Sequence, residues 1–158
     1  MIPKFEVSII IQKPISEVFD GVYNPKKLSA YFTTAGASAP LIEGTTVTWE
    51  FADFPGPFPV PVKKVIQDKL IMIEWEAQEG GYNTQTEFVF EALNSQETKI
   101  KIYETGWKET EKSIMSSYQN CMGWSQMAAA LKAYLEYGIN LRQGAYKALH
   151  GDSQQPSV

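Results

Sequence analysis

One carboxylate falls where a strand pattern places it among apolar residues. In the run from Thr98 to Thr105, Ile100, Ile102 and Glu104 alternate onto one face, because successive side chains of a strand point to opposite sides. A buried carboxylate is costly unless it is paired, hydrogen-bonded or protonated. There, Glu104 can accept a hydrogen bond from a ligand hydroxyl, or act as an acid or base. The commoner arrangement is that the strand end lets such a residue reach water or pair with Lys or Arg. Both readings stand at this point.

Other residues able to do chemistry are sparse. His150 is the only histidine and lies beside Gly151 and Asp152, where a solvated residue is expected. Cys121 is the only cysteine. It can form no internal disulfide, and nothing near it in sequence would lower its pKa. One His and one Cys make no metal-ligand cluster and no HExxH helix. The glycines form neither GxGxxG nor a P-loop. With the sole histidine so placed, a Ser-His-Asp triad is not supported. No catalytic residue is assigned and no cofactor is expected.

Aromatic residues are abundant, with 4 Trp, 8 Tyr and 8 Phe. Ligand pockets are largely apolar with a few polar anchors. The strand and helix patterns below put Trp49, Phe51, Ile73, Trp75, Phe88, Phe90, Trp124 and Leu131 on inward faces. With Glu104 they form the candidate ligand-binding set. Trp75 and Trp124 are expected to report binding by fluorescence. The same residues can equally fill a solid core.

The positioning elements follow from periodicity. Phe5, Val7, Ile9 and Ile11 alternate, giving a first strand. Ile15, Val18, Phe19 and Val22 share a helical face, and Asn24-Pro25 starts a second short helix with a good N-cap and Pro at its first position. Strand patterns then run over 45–51, 62–67, 70–77, 84–93 and 98–105. Phe54 to Pro61 carries a proline at every second residue and is expected to be a loop or an edge; it can act as a lid over a cavity mouth or as a stiff surface hairpin. From Glu109 to Tyr137 no proline occurs, which predicts a helix about 40 Å long. Its expected buried stripe is Ile114, Tyr118, Cys121, Trp124, Ala128, Leu131 and Leu135, with Met115, Met122 and Met127 as adaptable apolar filler. Gly138 is a natural stop. Leu141 to Leu149 can add a turn or two of helix, and Ser153 to Val158 is polar and expected to be disordered. Consecutive strands joined by short turns pair antiparallel. The fold class is therefore α+β: about six antiparallel strands, two short helices after the first, and one long helix covering the sheet.

Several motifs in this order resemble those of the START-like (SRPBCC, birch-pollen-allergen-like) superfamily, and within it the activator of heat shock protein 90 ATPase homologue-like proteins. They are Pro14-Ile15-Ser16-Glu17-Val18-Phe19, Asn24-Pro25-Lys26-Lys27-Leu28, Glu43-Gly44, Ile73-Glu74-Trp75, the run from Thr98 to Gly106, and Gly123-Trp124 followed by Leu131 and Leu135. The likeness runs from about Phe5 to Gly138. The family's Trp after the second helix's leucine is replaced by Tyr31 or Phe32, and its usual Leu by Ala128. The resemblance implies a helix-grip fold over residues 1–138, followed by an extension over 139–158. It also implies a cavity between sheet and long helix for a hydrophobic, lipid-like or polycyclic, small molecule. Two alternatives accompany it: a chaperone-associated protein-interaction module, and a hydrolase or cyclase using Glu104.

Composition bounds the partners. The 158 residues suit one domain, and the formal net charge is −4. No basic run exceeds two residues, at Lys26-Lys27 and Lys63-Lys64, so phosphate-driven nucleic-acid binding is not expected. Met1 to Ile11 is broken by Lys4, Glu6 and Ser8, unlike a signal peptide. No apolar run approaches the roughly eighteen residues of a membrane span. A cytoplasmic location is the default expectation, and a homodimer through an open sheet edge is compatible with the pattern.

Overall fold

The computed structural model describes residues 1–146; His150 and the Ser153–Val158 tail lie outside them. In chain order the elements are β1 (Phe5–Ile11), α1 (Ile15–Tyr23), α2 (Pro25–Ser29), β2 (Gly36–Ala37), β3 (Thr46–Phe51), β4 (Phe54–Ile66), β5 (Leu70–Glu76), β6 (Asn83–Asn94), β7 (Glu97–Thr105) and α3 (Glu111–Tyr137). The strands form one antiparallel sheet in the order β1-β7-β6-β5-β4-β3-β2. The sheet thus has seven strands rather than six. The addition, β2, is two residues long, too short to leave an alternation in the sequence.

Local chemistry accounts for the ends of the helices. Asn24 accepts from the Lys26 N–H and Pro25 occupies the first position of α2, as the sequence predicts. Thr110 accepts from the Ser113 N–H at 3.1 Å and starts α3, two residues later than expected. Gly138 ends α3 with φ 68°, a left-handed conformation that suits glycine.

The inner faces of the sheet meet α1, α2 and α3 in one core. Val47, Trp49, Val60, Val62, Ile71, Ile73, Phe88, Phe90, Ile100 and Ile102 pack with Phe19, Phe32, Trp124, Met127 and Leu131. Ala128 is buried beside Met127, itself 1% exposed. The predicted stripe on α3 is corrected in its first half. Tyr118 is 64% exposed, while Ser113, Ser116 and Ser117 face inward. The apolar period along α3 is set by the far half of the helix, from Trp124 onward.

The proline-rich stretch takes the edge form of its expectation, not the loop. Phe54 to Pro61 is no loop or lid but the first part of β4, paired to β3 from Pro61 opposite Thr46 to Phe54 opposite Phe51. The reason lies in the spacing. N–H groups alternate sides along a strand, and Val62 donates to Thr45 on the β3 side. Pro57, Pro59 and Pro61 hold the opposite parity, so their nitrogens face away from β3, and Pro55 lies in the register shift next to the turn. No ladder bond is lost. On that other side β5 pairs only from Val62 onward, with a register shift between Val62 and Lys64.

Candidate functional site

Glu104 is fully buried and opposite Thr86 on β6. It is shut off from water, and among the described residues no basic side chain reaches it, contrary to the commoner reading. Its partners are neutral. Thr84 Oγ1 donates to Oε1 at 2.7 Å and Trp124 Nε1 to Oε2 at 2.9 Å. Asn120 Nδ2 donates to Oε1 at 3.0 Å and Oε2 at 3.3 Å. Burial pushes the Glu104 carboxyl above its ordinary range, and the bonds from Thr84, Asn120 and Trp124 only partly offset this. Each donor has a definite origin. Thr84 sits opposite Trp75 on β5, whereas Asn120 and Trp124 are one turn apart on α3, so both reach the same carboxylate.

Around this anchor the predicted aromatic residues converge. Trp49 lies 5.6 Å from both Phe32 and Trp75, and Trp124 lies 5.7 Å from Phe32 and 6.4 Å from Trp75, between ring centroids. These four rings close a circuit. Phe88 meets Trp124 edge-on at 5.4 Å, and Phe51 meets Phe32 at 5.0 Å. Ile73 and Leu131 are fully buried in the same core, while Phe90 pairs with Phe19 at 5.3 Å. Rings packed this closely fill the space between sheet and helix. Two polar atoms there, Trp49 Nε1 and Thr86 Oγ1, lack a hydrogen-bond partner among the described residues, and both residues are fully buried.

Sequence reasoning missed several contributors. Asn120 and Thr84 carried no signal beyond their proximity in period to Trp124 and Trp75. Phe58 belonged to the stretch expected to be a loop or an edge; it stacks on Trp75 at 5.3 Å with planes 20° apart. Arg142, in the extension, forms a two-pronged ion pair with Asp53 at 3.1 and 3.0 Å. Its guanidinium lies 4.7 Å from the Phe51 ring centroid and 5.4 Å from that of Phe32. Residues Leu141 to Tyr146 form bends and turns rather than helix, and 147–149 lie outside the described residues.

A second polar cluster ties the β5–β6 turn to the start of α3. Glu79 accepts from Ser113 Oγ at 2.6 Å and from the Tyr82 hydroxyl. Slight burial raises its carboxyl, but bonds from Ser113, Tyr82 and Ser116 prevail and hold it down at about 2. Cys121 is half-buried, its thiol pushed up by burial and then by the charge of Glu104. Two depressions open on the surface, one of about 440 Å³ beside Glu79 and Met115, the other of about 370 Å³ beside Asp53 and Arg142. Neither opens among the four rings. Among the described residues no cluster of His, Cys, Asp and Glu can hold a metal, and no helix is long and apolar enough to cross a membrane.

The sequence profile of the activator of Hsp90 ATPase homolog 1-like proteins matches residues 12–136. The chain belongs to that family. Solved structures share its fold. Protein SSP2350 from Staphylococcus saprophyticus is 20% identical over 89% of this chain and 96% of its own, with a TM-score of 0.75. Protein MLL2253 from Mesorhizobium loti is 15% identical over 85% and 97%, with a TM-score of 0.73. The Aha1 dimer from Colwellia psychrerythraea is 20% identical over 86% and 98%, with a TM-score of 0.70. No functionally curated protein matches the sequence. For the Hsp90-activator-like family the profile spans α1 through nearly all of α3, so Glu104, Asn120 and Trp124 all lie in its matched part.

Proposed function

We propose that this protein binds a hydrophobic small molecule with a polar end between the sheet and α3. The observation that carries this reading is the polar set inside the aromatic core. Among the described residues, Glu104 is buried without a cation, and Trp49 Nε1 and Thr86 Oγ1 stand unpartnered in the core. An unsatisfied buried polar group costs about 1–3 kcal/mol, and a ligand oxygen or hydroxyl would relieve it. A core serving stability alone gains nothing from such groups. A catalytic role for Glu104 is not proposed, since its contacts are neutral donors that hold it in place.

A second reading, docking of a partner protein such as a chaperone, has its own observation. The rings fill the interior, and α3 turns Met115, Tyr118 and Met122 outward at 55%, 64% and 56% exposure. Native mass spectrometry of the purified protein against its denatured mass separates the two. Small-molecule binding predicts an added mass that is lost on denaturation, and a shift of tryptophan emission when the released compound is returned. A bare native mass, with no emission change on adding planar aromatic or lipid probes, would favour the partner reading. The same spectrum reports whether the chain is a homodimer.

A further inference from the structure

The sheet forks between β4 and β5. Below the fork, Ile66 to Val62 pairs with Leu70 to Ile73. Above it, Phe54 to Pro61 stays with β3, while Glu74 to Glu76 stays with β6. On the inner side of this gap one pair of rings closes the opening, Trp75 stacked on Phe58. Both are half-buried, and Phe54 leans on Phe58 from outside at 5.7 Å. At the crotch of the fork, Lys63 and Glu74 pair at 3.6 Å across the partly exposed face. Immediately behind Trp75 lie Trp49 and Trp124.

A fork is an unusual place to lose sheet pairing, because strands bordering an open gap leave backbone groups unpaired. Here the β4 side has prolines, which have no N–H to leave unpaired. The gap is therefore tolerated without a covering strand, and aromatic stacking is what fills it. A stacked pair of flat rings at a half-exposed opening is replaceable by another flat ring. Behind it, the unpartnered Trp49 N–H can only donate. That chemistry selects a planar aromatic molecule carrying an acceptor oxygen.

Resting on the small-molecule reading above, we propose that this fork is the portal and first binding position of the ligand, a planar aromatic carbonyl or phenol compound that displaces Phe58 from the face of Trp75. The test uses prodan, a neutral planar naphthyl ketone whose emission changes on leaving water, mixed with the full chain in a stopped-flow instrument. Phe58→Ala removes the closing ring and is expected to raise both association and dissociation rates about three- to tenfold, the range set by the strength of one stacked pair. Lys63→Ala touches no core ring, so it folds regardless, and is expected to move both rates in the same direction. Lys101→Ala, whose ion pair with Glu91 joins β7 and β6 away from the fork, is expected to leave them unchanged. Unchanged rates in both fork variants would overturn the portal while leaving the binding reading intact, as would acceleration by Lys101→Ala alone. Failure of every form of the protein to bind prodan would overturn both.

Discussion

Two carboxylates contact α3, and their environments push them in opposite directions. Glu79 is held low, so its bonds favour the folded state above the ordinary carboxylate range, and that contribution is lost as pH falls toward about 2. Glu104 is raised by burial. In the window between its ordinary and its folded value, the folded chain holds a proton that the unfolded chain has released. Stability from this group is thus fully present below the ordinary value and declines as pH rises through the folded one. Comparing Glu104→Gln with the parent isolates that effect, since all other carboxylates cancel. Urea unfolding of the two proteins should show the parent gaining on the variant as pH drops from 7 toward 4.5. If the parent instead loses ground on acidification, the hydrogen bonds from Thr84, Asn120 and Trp124 outweigh burial. Alternation with Ile100 and Ile102 made the inward direction of Glu104 legible in the sequence. Its partners were not, because Asn120 and Thr84 reach it only once the helix is laid over the sheet.

At the scale of elements, strands with one buried face were readable, because Ile71, Ile73 and Trp75, or Phe88 and Phe90, repeat at the period of two that burial demands. The proline-rich stretch and the first turns of α3 were less legible, for separate reasons. Prolines leave a loop or an edge open, and β4 above the fork is the edge, with a partner on one side only. The serines at 113 and 116 broke the expected apolar stripe because the first turns of α3 meet the polar cluster at Glu79, while Ser117 turns its hydroxyl back to the Ile114 carbonyl. The proline argument has a direct check. Pro57→Thr with Pro59→Thr adds two N–H groups on the side away from β3. Each loses about 0.4–1 kcal/mol through the freer unfolded chain, which corresponds to a melting temperature lower by roughly 2–8 °C in total. The new donors complete an open strand edge, so light scattering on heating should rise. A raised melting temperature without scattering would mean that the nitrogens face β3 and gain ladder bonds there.

Across the whole molecule, contacts run from Glu104 through Trp124, Phe32 and Phe51 to Arg142. The extension beyond α3 thereby closes the far side of the aromatic core, which the family-matched region, ending at 136, does not do alone. Arg142 and Asp53 have side chains only 15% and 10% exposed. Exposed ion pairs contribute about 0–1 kcal/mol, whereas breaking a buried one costs about 3–5 kcal/mol. A partly buried, two-pronged pair with its cation on two aromatic faces belongs between these limits. A double-mutant cycle of Arg142→Ala and Asp53→Asn, followed by chemical denaturation, should give a coupling of about 1–3 kcal/mol. Arg142→Ala should be the more damaging single change, because it also uncovers Phe32 and Phe51. Coupling near zero, with the two single effects adding, would reduce the extension to a tail resting on the surface, and the aromatic core would then be closed by the sheet and α3 unaided.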